Sequence, residues 1–307
     1  MKKIITLLLC LFVLAGCSNT PKPDLETPLK VGTLAAESAL PIIIAHEEGF
    51  FKSEGINVEI VPFANPQERN AAAQSGAIDM MIADAMTAFA FQEQGFPYII
   101  TSDINEDFKI IASPNSGITT MKDLQDQRVA LIPGLLLEYV MDEIAAKDAF
   151  DYQVLAMASF PGRFEGLLQD QFEAVVFTEP QAGMLVAQGA HLLGSSSEYG
   201  IKGGSLLTKK DRIEKDPEII ARFYRAYNQG VEYLNKNQSE AYAAVLTQYA
   251  FPPQMGSYID QKTTPFEKAK PVSNDQLESI ATWSLNKGLV EQLPTIKNTV
   301  NFSFIEE

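Results

Sequence analysis

Two short acidic turns hold the side chains of this sequence best placed to do chemistry. Asp84-Ala85-Met86-Thr87 follows the apolar run Ile78–Ile82, and Thr178-Glu179-Pro180 follows the apolar run Phe172–Val176. A carboxylate in such a turn can cap the helix that follows, accept hydrogen bonds from an amine or amino-heterocycle, or do both. Arg163 supplies the opposite chemistry, since its guanidinium can clamp a carboxylate through two parallel bonds. Arg69 holds the matching place 94 residues earlier, so a structural role at a helix start is the competing reading for both arginines. Phe160 and Phe164 flank Arg163 and either stack on a ring or pack in a core. Ser38 precedes the run Pro41–Glu48, where the free N–H groups of a helix start meet an anion or carbonyl, or where the hydroxyl is a plain cap. Gly134 and Leu135, in Pro133-Gly134-Leu135-Leu136-Leu137, offer backbone and apolar surface.

Other chemistries lack material. His46 and His191 are the only imidazoles among 307 residues, and His46-Glu47-Glu48 has no second histidine at metal spacing. Two cysteines cannot build a disulfide framework or a cysteine-rich zinc site. No Walker loop, GxGxxG, GxSxG or HExxH is present, so neither a metal nor a cofactor is expected. The balance of 39 acidic against 24 basic residues, a net charge of −15, carries no basic field and argues against nucleic acid as a partner. A hydrophobic fraction of 46% with 21% charged residues is that of a globular chain, and the length suits about two domains.

The first residues read as an address. Met1-Lys2-Lys3, the apolar run Ile4–Leu14 and Ala15-Gly16 before Cys17 have the charged, apolar and small-residue parts of a secretory signal. The apolar run is too short to span a bilayer. Leu14-Ala15-Gly16-Cys17 resembles a bacterial lipobox, in which the cysteine is acylated and becomes the new N-terminus. The polar, proline-rich segment 18–28 then reads as a tether. Cys10 leaves with the signal and Cys17 takes the lipid, so the body carries no thiol.

From Leu29 onward, strands and helices alternate, as they do around a mostly parallel sheet. Strands are expected at Leu29–Leu34, Asn57–Val61 and Ile78–Ile82. Helices are expected at Pro41–Glu48, from an Asn65 cap and Pro66 to Gln74, and at Thr87–Gln94. Shifting Arg69–Gly95 by 94 positions lays it on Arg163–Gly189 without a gap, with Asn65 falling on Ser159 as paired caps. Lys30–Leu34 likewise resembles Arg128–Ile132. Two α/β lobes of similar build should therefore face each other, with both sets of loops around one cleft. The expected division is a signal at 1–16, lipidated cysteine and tether at 17–28, lobe 1 at 29–111 plus 203–307, and lobe 2 at 112–202. Helices from Asp216-Pro217 to Asn235, from Ser239, and from Ser273 to Asn286 form a helical tail.

Five segments carry a resemblance to a known family: LKVGTLAAESALPIIIAHEEGFFKSEGINVEIV, AAAQSGAIDMMIADAMTAFA, MKDLQDQRVALI, FEAVVFTEP and EIIARFYRAYNQGVEYLNKN. In this order they resemble solute-binding proteins of bacterial ABC importers, in the group that binds nitrate, sulfonates, taurine and thiamine precursors. The resemblance implies a type II periplasmic-binding-protein fold, a small solute held between two closing lobes, and delivery to a membrane permease by a lipid-anchored monomer. From their places at strand ends and helix starts around such a cleft, contacts are expected from Ser38, from Asp84, Ala85, Met86 and Thr87, from Gly134 and Leu135, and from Arg163, Thr178 and Glu179. One departure stands out. Many sulfonate binders place a Gly-Ser-Ser/Thr turn where this chain has Gly134-Leu135-Leu136, which removes hydroxyl donors and favours a partly apolar, nitrogenous or aromatic solute such as a thiamine-precursor pyrimidine. A sulfonate or other small anion stays open as the solute, and a ligand-binding sensory lipoprotein is the alternative function. An enzyme making the thiamine pyrimidine would need cytosolic residence, a cofactor lysine with a catalytic histidine and, in eukaryotic members, a cysteine-rich motif.

Overall fold

A computed structural model describes residues 27–305. The export segment, Cys17 and nearly all of the tether lie outside the described residues. The first run of the chain is β1 (Leu29–Thr33), α1 (Leu40–Glu47), α2 (Phe50–Ser53), β2 (Val58–Pro62), α3 (Pro66–Gln74), β3 (Met80–Asp84), α4 (Ala85–Glu93) and β4 (Tyr98–Asp103). The second is β5 (Lys109–Ala112), β6 (Arg128–Leu131), α5 (Leu136–Asp148), β7 (Gln153–Ala156), α6 (Phe160–Leu168), β8 (Ala174–Phe177), α7 (Gln181–Ala187) and β9 (His191–Ser195). The chain then returns through β10 (Gly204–Lys209) into α8 (Lys210–Lys215), α9 (Pro217–Lys236), α10 (Ala243–Gln248), α11 (Pro253–Gln261), α12 (Asn274–Asn286) and α13 (Ile296–Thr299).

Two five-stranded sheets result, in the orders β2-β1-β3-β10-β4 and β7-β6-β8-β5-β9. The first three strands of each are parallel, and the fourth runs antiparallel to both its neighbours. That fourth strand is exchanged. β5 leaves the first run to enter the second sheet, and β10 leaves the second run to enter the first. The expected boundary after residue 111 therefore falls inside β5, which pairs with β8 and β9. The chain crosses between the sheets at 104–108, and returns at 196–203.

The 94-residue repeat is a repeat of structure. α3 and α6 superpose on it end for end, and their caps are equivalent: Asn65 Oδ1 accepts the Glu68 N–H at 2.9 Å, and Ser159 Oγ accepts the Gly162 N–H at 3.1 Å. α4 begins at Ala85, two residues earlier than the sequence suggests, because the Asp84 carboxylate takes the Thr87 N–H at 2.8 Å and so closes the first turn. Ser273 caps α12.

Cores cover both faces of the first sheet. On one, α1 buries Leu40 through Ala45 beneath the amphipathic α9. On the other, α4 packs in a layer that continues into the second lobe through α12, so Met86 and Phe89 belong to the same apolar body as Tyr139, Val140 and Ile280. Among the described residues no helix is long and apolar enough to cross a membrane.

The contact of α1 with α9 depends on one missing side chain. A Cβ at Gly230 would lie 2.3 Å from the Pro41 carbonyl oxygen and 3.2 Å from the Ala45 nitrogen, both of them backbone. Gly230→Ala should push the two helices apart and cost about 1–3 kcal/mol, read as a fall in the midpoint of thermal unfolding. An unchanged midpoint would show that α9 can shift freely.

Candidate functional site

The carboxyl ends of the parallel strands in both sheets face one another across a cavity of about 120 Å³. The segment after β1 contributes Leu34 to Ser38, and the end of β3 contributes Ile82, Ala83 and Asp84. From the other lobe come Ile132 and Leu135 to Leu137, the α6 residues Phe160 and Arg163, and Phe177, Thr178 and Gln181. The outward crossing closes the cavity with Ile104, Asn105, Glu106 and Phe108. The walls are mainly apolar, with a few charged groups, as in sites for small organic molecules.

Of the residues expected from the sequence, Ser38, Asp84, Leu135, Arg163 and Thr178 line this cavity. Ser38 is not the cap of α1, whose N-cap is Ala39 without a side-chain bond. The others point elsewhere. Ala85, Met86 and Thr87 form the first turn of α4, where all three are buried, Ala85 and Met86 in the apolar core. Gly134 stands behind the lining, its N–H bonded to the Glu138 carboxylate at 2.6 Å. Glu179 turns back on its own helix, where Oε2 accepts the Gly183 N–H at 2.8 Å. Its backbone carbonyl nevertheless takes the Glu37 N–H at 3.2 Å and so joins the lobes.

The two arginines differ in their surroundings. Arg69 is buried, donates from Nη1 to the Ile82 carbonyl at 2.8 Å and from Nε and Nη2 to Asn70 Oδ1. Burial pulls its pKa down to about 10, and the nearby Asp84 carboxylate opposes that fall. Arg163 is also fully buried, and its Nη1 donates to the Met157 carbonyl at 2.7 Å. Its Cζ lies 4.9 Å from the ring centres of both Phe160 and Phe177. Phe160 and Phe177 meet edge to face, and Phe160 and Phe164 both pack against the apolar cluster of the second lobe.

Sequence reading passed over two carboxylates in the cavity, Glu37 and Glu106. Glu37 Oε2 accepts a hydrogen bond from the Tyr258 hydroxyl, while its buried Oε1 has no partner. Burial pushes its pKa up to about 7, against the pull of Lys262 and of the Tyr258 bond. Glu106 Oε1 accepts both the Gly203 and Gly204 N–H groups at 2.8 Å, and its buried Oε2 is unpartnered. Burial raises it to about 7 as well, against those two bonds and Lys202. No local pattern marks either residue. The only signal was position, Glu37 beside Ser38 and Glu106 in a segment that has to cross between sheets.

On the far side of the cleft α12 reaches across to α5. Lys287 Nζ bonds Glu138 and Asp142 at 2.7 and 2.8 Å, and the Trp283 indole donates to Asp142 at 2.8 Å. Gln181 Nε2 approaches the Ala35 carbonyl at 3.5 Å on the opposite rim. The two lobes are thus in contact on both sides of the cleft.

A family model described as "NMT1/THI5 like" matches residues 37–241. The formylaminopyrimidine-binding protein of Halalkalibacterium halodurans is 24% identical over 273 residues, covering 80% of this chain and 78% of that protein. The 4-amino-5-hydroxymethyl-2-methylpyrimidine phosphate synthase of Schizosaccharomyces pombe is 30% identical over 110 residues, but the match spans only 35% of this chain and 32% of that protein. Among solved structures, the alkanesulfonate-binding protein SsuA from Xanthomonas axonopodis pv. citri aligns with a TM-score of 0.76 at 18% identity, covering 90% of this chain and 98% of that one. The architecture described above is that of the periplasmic binding proteins.

The two raised carboxyls set a pH dependence. Their folded pKa lies above the ordinary value of 4.5, so the stability they contribute is complete below that pH and is lost as pH rises through about 7. The thermal midpoint should therefore fall between pH 4.5 and 8. Glu37→Gln and Glu106→Gln should each flatten the fall, and variant profiles parallel to wild type would refute the assignment.

Proposed function

Since the chain belongs to the NMT1/THI5-like family, we propose that it is the extracytoplasmic solute-binding protein of an ABC importer, held to the membrane by lipid on Cys17. The observation that carries this reading is the mainly apolar cavity lined from both sheets at the carboxyl ends of their strands. Capture is lobe closure driven by tighter binding to the closed state, and the closed form is what the permease would recognise. Ser38, Asp84, Leu135, Arg163 and Thr178 are the proposed contacts, joined by Glu37 and Glu106.

The solute in this reading is a small nitrogenous or aromatic heterocycle, with a thiamine-precursor pyrimidine as the leading example. Support comes from the unpartnered oxygens of Glu37 and Glu106, which suit a molecule that donates hydrogen bonds. The apolar Leu135–Leu137 wall suits a flat ring, and a related protein is named for binding a formylaminopyrimidine. A receptor fits better than a synthase. Neither histidine lines the cavity: His46 lies at the end of α1 beside Glu47, and His191 meets the Pro114 carbonyl.

Thermal unfolding against a panel of pyrimidines, aromatic acids, sulfonates, nitrate and bicarbonate tests the reading. A solute at 100 times its Kd should add about 2.7 kcal/mol, a rise of several degrees at this size. One chemical class should shift the midpoint, and Glu37→Gln should weaken that binding about tenfold through loss of a charged acceptor. A panel with no response from any class would count against a solute receptor of this kind.

A further inference from the structure

One cavity residue is held from behind by side chains that do not line the cavity. Glu37, in the turn after β1, lines the cleft and is 1% exposed, and only its Oε2 has a partner. That oxygen accepts from the Tyr258 hydroxyl, which in turn accepts from Lys262 Nζ at 3.2 Å. Lys262 Nζ also stands 5.5 Å from the ring centres of both Tyr258 and Phe266, which fixes where the ammonium sits. Tyr258 lies on α11 and Lys262 just after it, and neither is among the cavity residues. Lys262 instead borders a separate groove beside the return crossing, with Gly200, Ile201 and Lys202. A chain of donors thus runs from that groove, through the wall of the first lobe, to a carboxylate of the cleft. Its direction is set chemically, because an ammonium only donates and so leaves the phenol proton for Glu37. Burial and the adjacent Glu37 push the Tyr258 pKa up, so the phenol keeps that proton. Glu37 also touches the other lobe: its N–H donates to the Glu179 carbonyl at 3.2 Å, where α11 packs against α7.

We propose that Tyr258, backed by Lys262, is the positioning residue of the cleft: it takes up Glu37 Oε2 from behind and leaves Oε1 as the acceptor that an N–H or O–H of the solute completes. The proposal rests on the receptor reading and deepens it, since part of the specificity then resides on a helix outside the cavity. A buried acceptor without a donor is costly until a ligand supplies one, and a solute lacking the donor leaves that cost in place. Charge acts in the same direction. Burial raises the Glu37 pKa to about 7, while Lys262, the Tyr258 bond and Lys109 of β5 pull it down and Asp107 of the outward crossing pushes it up. Glu179, from the second lobe, acts on Tyr258, and Arg69, Asp84, Glu106 and Arg163 are the other charged residues of the cavity. Without the Tyr258 bond, Glu37 keeps its proton to higher pH and offers a donor where the solute needs an acceptor.

The first test needs no solute. Thermal midpoints of the full chain in mild detergent are compared at pH 5 and pH 8 for wild type, Tyr258→Phe, Glu37→Gln and the double variant. The folded pKa of Glu37 lies above its ordinary 4.5, so its stabilising contribution is lost as pH rises. Losing the Tyr258 donor lifts that pKa further, and Tyr258→Phe should deepen the fall between the two pH values by about two degrees. Lys262→Met should act in the same direction and by less. In the Glu37→Gln background, Tyr258→Phe should cost the same at both pH values. A fall parallel to wild type, or one deepened equally without Glu37, overturns the proposal. The second test sets benzamide, which carries an N–H donor, against methyl benzoate, which has the same ring and carbonyl without it, each at about 10 mM and pH 8. Benzamide should raise the wild-type midpoint by about two degrees more than methyl benzoate, and Tyr258→Phe should erase that preference. If Tyr258→Phe does not fold, Lys262→Met decides both tests. Equal responses in wild type, or a preference that the variant keeps in full, overturns the proposal. The receptor reading is judged separately, by whether any solute class shifts the wild-type midpoint.

Discussion

The chain passes between its two sheets twice, and one carboxylate fastens the two passages together. Glu106, on the outward crossing, accepts the N–H groups of both Gly203 and Gly204, where the return crossing enters β10. A Cβ at Gly204 would stand 2.1 Å from Glu106 Oε2 and 2.5 Å from Ile104 Cδ1, so a side chain there would displace the carboxylate from this junction. The neighbouring Lys202 bonds Asp103 at the end of β4 and reinforces the same junction. Because these bonds cross from one passage to the other, the lobes share a defined pivot, and the cavity lies directly against it. The carboxylate that makes the pivot belongs to a residue that also lines the cavity, so hinge and site share a residue.

The exchange of β5 and β10 explains why a hinge exists at this point. Each sheet has its antiparallel fourth strand delivered by the run that built the other sheet, so neither lobe is complete without the other's chain. Parallel strands end with their carbonyl edges and following helix starts pointing the same way, and two such sheets facing each other place those ends around a common cleft. The apolar layer through α12 then adds a second connection away from the pivot. Trp283 packs edge to face on Tyr139, and Lys287 bridges two carboxylates of α5. Those contacts join surfaces of different lobes.

The cleft keeps its charges in an apolar setting, which fixes how each behaves. Asp84 serves its own helix as a cap and Arg69 as a nearby counter-charge. Glu37 and Glu106 are raised toward neutrality by burial, so near pH 7 they exchange between acceptor and donor. Arg163 stays charged because its pKa, though lowered to about 10, is still well above that pH. The result is a site whose polar groups are few and unlike one another, the condition under which a small ligand is oriented and not merely enclosed.

Most of the local order was legible along the chain. Asn65-Pro66, Ser159, Ser273 and Asp216-Pro217 mark helix starts because caps and N1 prolines act within one turn, and the alternation of strands and helices follows from apolar periodicity. The repeat was legible for the same reason, being a copy of local signals. The cavity was legible only in part: Ser38, Asp84, Leu135, Arg163 and Thr178 were found because strand ends and helix starts in this architecture converge. Direction was not legible, since whether Met86, Gly134 or Glu179 faces the cleft depends on which turn of a helix meets the neighbouring lobe. Glu37, Glu106 and the strand exchange had to wait for the tertiary structure. Their roles arise from contacts between segments far apart in sequence, such as Glu106 with Gly203, and no spacing along one segment encodes a partner almost a hundred residues away. What the sequence by itself determined was the pair of α/β units and their caps; what only the folded chain decided was which charged groups share the cleft, because burial and proximity are properties of the packed arrangement.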